Sequence, residues 1–366
     1  MDTTNRKQKI LIFIIIILIS ISLLRTVVLL WDKNLPDFIV VNTAAHRILE
    51  HKNPYINSVF TQVNYLPIFL IFISPFTVFD SRIASNLWLL LSVISFLFSI
   101  LILYKIKKIP FILLFLFIFL SIISFPFKFT LGMGQTNFIL LLLICLFIYK
   151  IIKSKDLLAG VFLSLSIVIK LTPLLFVPYL FINRNIKTLT FSLLSLLVFL
   201  LIPFFLLGRD TNIYYFNHVF LPLIKESAGR VYYNQSITGF FSRLSLDASL
   251  LNITRIVIVC FSLWTILKKK MGYFSSVSLL TIMFLLINNF TWQHHLILLI
   301  LPFYFLVTKR KYFPSLISYS FVFFNIKNIP IYNNTLLGNI LLSHGFLGVF
   351  FLWFIFVWNL KESEVK

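Results

Sequence analysis

The chain has 366 residues, 60% of them hydrophobic and 12% charged, with a mean hydropathy of +0.99. A soluble globular domain carries about 25% charged residues, so the composition excludes that class. The net charge of +21 does not point to nucleic acid, because no basic soluble segment exists to present to a duplex.

Apolar runs recur from Ile10 to Trp358, many matching the ~20 residues a helix needs to span a bilayer. They are continuous rather than alternating, which argues against a β-barrel. The expected class is all-α and integral to the membrane.

The first run, Ile10 to Leu30, follows Arg6, Lys7 and Lys9. It exceeds the ~7–15 residues of a signal-peptide core and predicts an uncleaved anchor with a cytoplasmic N-terminus. Residues 31–62 form the first predicted external loop. It contains Asp37, one of only 11 acids against 32 Lys and Arg. TAAHRILEHKNPY (43–55) predicts an interfacial helix, with Ala44, Ala45, Ile48 and Leu49 on its apolar stripe. Asp37 is either a reactive carboxylate beneath that helix, its cap, or a solvated loop acid; Asp32 and Glu50 are the alternatives nearby. Segment 63–79 is broken by Pro67 and Pro75 and predicts a re-entrant or surface-lying helix.

GMGQTN (132–137) sets two glycines and two amides at the start of an apolar run. Glycine permits close backbone approach, and amides bind hydroxyls through paired donors and acceptors. Gln135 and Asn137 are therefore sugar or acceptor candidates, with N-capping by Thr136 or Asn137 the alternative. Segment 157–183 must cross and return within 27 residues, its halves meeting at Lys170–Pro173. A lysine at membrane depth is costly and expects an anionic partner, for which a phosphate is natural. The alternative is snorkelling to headgroups.

A second external loop is predicted over 209–249. Within it, YYNQSITGFFSRL (232–244) offers Asn234 and Gln235 to sugar hydroxyls. TWQHH (291–295) opens an outer helix; its adjacent histidines do not share a face, so a zinc pair is not expected. His294 or His295 is placed to donate to a phosphate oxygen, and Trp292 to anchor at the interface or meet a sugar. Cys145 and Cys260 lie inside apolar runs as small fillers.

Basic clusters alternate with these segments, and holding all of them in the cytoplasm leaves the polar candidates outside. About twelve crossings result, in one integral domain over 1–366. No nucleotide-binding motif occurs, so a lipid-linked donor supplied through the membrane is expected, together with contacts to membrane lipids. No metal-ligand cluster stands in the sequence, and neither a metal nor another cofactor is expected. A transporter or flippase of polyprenyl-linked saccharides is the rival reading; the lack of internal repeats counts against it. A glycan polymerase or ligase differs only in donor size.

The ordered set DFIVVNTAAHRILEHKNPY, YLP, GQTN, LLAGVFLSLSIVIKLTPLLF, NQSITGFFSRL and WQHHL resembles glycosyltransferase family 87. That family is a branch of the GT-C superfamily containing polyprenyl-phosphate-mannose-dependent α-mannosyltransferases. The resemblance runs from about residue 30 to 305 and rests on the order and spacing of loose motifs. It implies a GT-C-like helical bundle with a catalytic acid in the first external loop, here Asp37. It further implies donor-binding roles at Lys170 and His295. Tyr55 and Tyr65, in the same quoted segments, are also expected among the sugar or acceptor contacts. Gln293 stands where the family often carries an acid. The expectation is transfer of a hexose, mannose first, from a polyprenyl phosphate to a lipid-linked or periplasmic glycan, with inversion, at the outer face of the cell membrane.

Overall fold

A computed structural model describes residues 3–56, 63–225, 229, 231–326 and 335–360. Residues 57–62 of the first predicted external loop, 226–228 and 230 of the second, 327–334, and the tail lysines Lys361 and Lys366 lie outside them. The protein is 81% helical, with no strand among the described residues.

In chain order the helices begin with α1 (Thr3–Leu30), α2 (Pro36–Leu49), α3 (Pro67–Ile73), α4 (Ser81–Ile106), α5 (Phe111–Ile123) and α6 (Phe125–Met133). Next come α7 (Asn137–Ile152), α8 (Asp156–Ile169), α9 (Phe176–Ile182), α10 (Ile186–Tyr215), α11 (Leu221–Lys225) and α12 (Ile237–Arg243). The last six are α13 (Ala248–Lys268), α14 (Tyr273–Ile287), α15 (Ile300–Thr308), α16 (Tyr312–Phe323), α17 (Leu336–Leu341) and α18 (His344–Phe354).

Among the described residues, four helical stretches are long and apolar enough to cross a bilayer: 6–30, 81–106, 186–223 and 248–268. A fifth follows if α5 and α6, bent by 55°, count as one. Apolar side chains on α1, α10 and α13 are extensively exposed, Phe205 at 85%. Such surfaces belong in lipid, and the protein is a helical membrane protein. The count of about twelve is not what the helix lengths give, because several predicted crossings are broken into apolar helices of 10–17 residues. Segment 67–78, expected as a re-entrant or surface-lying helix and not as a crossing, is short as well: α3 and the 3-10 turn after it cover 12 residues, about 18 Å of helix against a core of ~30 Å.

Two further expectations need correction. Residues 209–225 of the second predicted loop are helical, because the chain resumes its helix after the break at Gly208, where φ is +79°. The helix of the first loop starts at Pro36, whose fixed φ suits a first turn. Its buried stripe is Phe38, Val41, Ala44 and Ala45, while Leu49, placed on the stripe from sequence, is 53% exposed.

The chain divides into two compact units that interleave in sequence. Unit 1 takes residues 1–26, 103–129 and 227–366; unit 2 takes 27–102 and 130–226. In unit 2, α8 packs on α7 and α10. Gly160 makes the α8–α10 crossing possible, since a Cβ there would stand 2.7 Å from Phe191 Cβ and Ser192 N. Ser164 Oγ donates to Ser192 O at 2.6 Å across the same contact. Small residues let membrane helices approach in this way. In unit 1, α14 is buried without interruption from Phe274 to Met283 and packs against α13, α15 and α18.

Candidate active site

The site in unit 2 is built from three chain breaks. The first is the start of α2, where Leu35 is the N-cap residue and makes no side-chain cap. Asp37 sits in the first turn, where the helix dipole favours an anion, so it is not the cap.

The second break ends α6. Gly134 N donates to Leu131 O and Gln135 N to Thr130 O, each at 3.0 Å; this is a Schellman closure with glycine in the left-handed position, φ +70°. A Cβ on Gly134 would lie 2.7 Å from Phe38 Cβ and 2.8 Å from Leu35 Cβ. Only glycine therefore lets this turn press against the start of α2. Trp88 fixes the contact: its Nε1 donates to Gly134 O at 2.8 Å, and its ring stacks on Phe38 with centroids 4.9 Å apart. The next residue, Gln135, donates from Nε2 to Asp37 Oδ2.

The third break ends α8. Lys170 is extended (φ −150°, ψ 137°), and Pro173 follows in the first turn of a 3-10 segment. The break falls where the sequence placed it. Lys170 Nζ donates to Asn137 Oδ1 at 2.6 Å, and Asn137 is fully buried at the start of α7. Thr136 is the N-cap residue of α7 but makes no side-chain cap, so the capping alternative is not realised.

Asp37 and Lys170 lie close enough for their charges to attract. Burial raises the proton affinity of the Asp37 carboxyl above that of an ordinary aspartate, while the Gln135 hydrogen bond and the Lys170 charge pull it back. Asp37, Gln135 and Lys170 are each partly exposed, whereas Thr136 and Asn137 are buried. The charged groups are thus partly exposed in a recess, each bonded to an amide, Lys170 to the buried Asn137 and Asp37 to the partly exposed Gln135.

Tyr65 borders this recess, with Thr136 and Asp37 near its phenol. Tyr55 donates to Tyr65 O at 2.9 Å and packs on Tyr215, ring centroids 5.0 Å apart. Tyr215 escaped the sequence reading, since TNIYYF (211–216) carries no local signal that sets it apart from other aromatic stretches. The two alternative acids lie apart from this arrangement. Asp32 pairs with Asn86 on the exposed surface, and Glu50 pairs with Lys52 at 3.1 Å and His46 at 3.6 Å.

The remaining candidates are in unit 1. Asn234 Oδ1 accepts from Ser236 N at 3.1 Å and Thr291 N at 3.0 Å, and its Nδ2 donates to Asn289 O at 3.0 Å. Gln235 Nε2 donates to Tyr232 O and Leu342 O, and its Oε1 accepts from Phe346 N. Both side chains are fully buried. Their expected contact with sugar hydroxyls is replaced by a structural task, tying 232–236 to 289–292 and to the start of α18. Trp292 N donates to His295 Nδ1 at 3.2 Å. An Nδ1 that accepts leaves the neutral ring's proton on Nε2. His294 is buried, stands perpendicular to His295 with centroids 4.5 Å apart, and packs on Phe129. Tyr233, 40% exposed, stacks on Phe129 and borders Trp292.

No curated protein and no solved structure matches the chain. A family model described as glycosyltransferase family 87 matches residues 63–302, a stretch that includes Gln135, Asn137, Lys170 and the 232–236 and 291–295 segments and begins after Asp37. The match covers more than half of the chain, which belongs to glycosyltransferase family 87 and is a transferase acting on a sugar donor and an acceptor.

Proposed function

We propose that this enzyme transfers a hexose, with mannose the leading candidate, from a polyprenyl phosphate to a lipid-linked or periplasmic glycan. The reaction would run at the extracytoplasmic face of the cell membrane. The observation that carries the reading is the recess of unit 2, where Gln135 holds a carboxylate and Asn137 holds an ammonium group, their charges in mutual range. The sidedness rests on the alternation of basic clusters in the sequence.

In this reading the acceptor hydroxyl gives its proton to Asp37 as its oxygen attacks the anomeric carbon. Gln135 engages Oδ2, which leaves Oδ1 to take the proton. The bond from the anomeric carbon to the phosphate oxygen breaks, and its electron pair leaves with the polyprenyl phosphate. That leaving group needs positive charge rather than a proton, and Lys170 supplies it from a fixed position. Positioned proton transfer contributes typically ~10²–10⁴-fold. One base and direct displacement invert the anomeric centre. Tyr65, partly exposed beside Asp37, provides an aromatic face for a sugar ring, and the buried Tyr55 supports it through its bond to Tyr65 O.

Membership of a transferase family favours this reading over a transporter or flippase. Incubating the purified enzyme with a panel of polyprenyl-phosphate hexoses and pentoses, and reading the product's anomeric configuration by NMR, tests it. Inverted product from a polyprenyl-phosphate mannose is expected. Transfer from nucleotide sugars alone would overturn the donor class, and retained configuration would overturn the single-base mechanism.

A further inference from the structure

Unit 1 contains a cavity of about 240 Å³ framed by α5, α15 and α16. Its walls are mostly leucine, isoleucine and phenylalanine, and Leu116 and Leu316 form exposed lips, so it opens sideways out of the helices. Three of the four hydroxyls on the wall are already committed, Ser121 to Phe117 O, Ser315 to Lys311 O and Tyr319 to Leu120 O, and the fourth, on Tyr312, belongs to an exposed residue at the start of α16. A sugar finds little to bond there, and leaving its hydroxyls unpaired would be costly. A hydrocarbon chain has no such requirement.

One end of the groove is strongly cationic. Helix α5 begins just after Lys105, Lys107 and Lys108, and α16 just after Lys309, Arg310 and Lys311. Tyr304 of α15 donates to Lys107 O at 2.9 Å, pinning the first basic turn to the helix that carries the second. Lys105, Lys107, Lys108 and Arg310 are exposed. No Asp or Glu occurs within 103–129 or 248–360, so both turns stand in strongly positive segments. From Tyr312 to Phe323 the lining follows α16 for about 16 Å at 1.5 Å per residue. That is about half of a ~30 Å hydrocarbon core, the depth of one leaflet.

We propose that this groove binds one acyl chain of an anionic phospholipid, with the headgroup phosphate held by the two basic turns. The charge bias of the loops assigns it to the cytoplasmic leaflet, and its function is separate from the transfer chemistry. Phosphate on clustered cations plus chain burial is the recognition logic of anionic lipids at basic juxtamembrane turns.

Native mass spectrometry of the full-length protein, titrated with dioleoyl phosphatidylglycerol or dioleoyl phosphatidylcholine, tests the site. Phosphatidylglycerol should bind at least ~10-fold more tightly. The triple variant Lys309→Ala/Arg310→Ala/Lys311→Ala should lose that preference, with phosphatidylcholine binding unchanged. Leu316→Trp, on an exposed lip where folding tolerates bulk, should lower phosphatidylglycerol binding with the basic turns intact. Equal retention of the two lipids, or both variants binding phosphatidylglycerol like the parent, overturns the proposal. Displacement of phosphatidylglycerol by polyprenyl phosphate would assign the groove to a donor tail and overturn it as well.

Discussion

The recess of unit 2 and the polar knot of unit 1 use the same side chains for opposite purposes. In the recess, Gln135 and Asn137 each hold a charged partner that is itself partly exposed. In the knot, Asn234 and Gln235 are fully buried and bond almost entirely to backbone atoms. Under the proposed function, an amide that holds a partly exposed charge serves chemistry, while an amide that bonds buried backbone groups serves folding. Substitutions should therefore affect turnover in one region and stability in the other.

The largest effect is expected at Asp37. Asp37→Asn keeps the side-chain shape but cannot accept a proton at neutral pH, so kcat should fall by at least ~100-fold while donor binding persists. Asp32→Asn and Glu50→Gln, on the surface pairs, should stay within about twofold of the parent, since exposed pairs contribute little. Near-normal turnover in Asp37→Asn, measured with radiolabelled donor, would remove the base from the recess.

Lys170→Ala comes next. Loss of a charge-assisted bond to the donor phosphate should weaken donor binding by about 1.5–3 kcal/mol, or roughly 10- to 150-fold in Kd. An unchanged donor Kd in a normally folded variant would instead make Lys170 a snorkelling lysine. Asn234→Ala should behave differently. It orphans the amides of Ser236 and Thr291, at about 1–3 kcal/mol for each buried donor left unpaired. The melting temperature in detergent should drop, with donor Kd unaltered in the folded fraction; a selective rise in Kd would move Asn234 into the donor site.

Much of the recess was legible in sequence because each of its breaks carries a local signal. A glycine pair before an apolar run marks the turn at Gly134, and a lysine before Leu-Thr-Pro marks the end of α8. The pairing of Gln135 with Asp37 was not legible, since the two lie 98 residues apart and nothing local specifies that meeting. The same blindness placed Asn234 and Gln235 among sugar ligands: amide chemistry is identical whether the partner is a hydroxyl or a backbone carbonyl. Hydropathy alone does not fix which apolar runs are full-length spans, because it registers apolar content and not where Pro, Gly or an extended residue interrupts a helix.

The role of the Asp37 carboxylate is tested most directly by the pH dependence of kcat/KM in the parent and in Gln135→Leu. Burial raises the proton affinity of Asp37, and the Gln135 hydrogen bond opposes that rise by stabilising the charged form. The base form of the parent should therefore be lost as pH falls, at a pH above that of an exposed aspartate. Removing the hydrogen bond should move this acid limb to higher pH, leaving the rate well above the limb reduced by only a few-fold. An acid limb that stays in place in Gln135→Leu would contradict Asp37 as the titrating base.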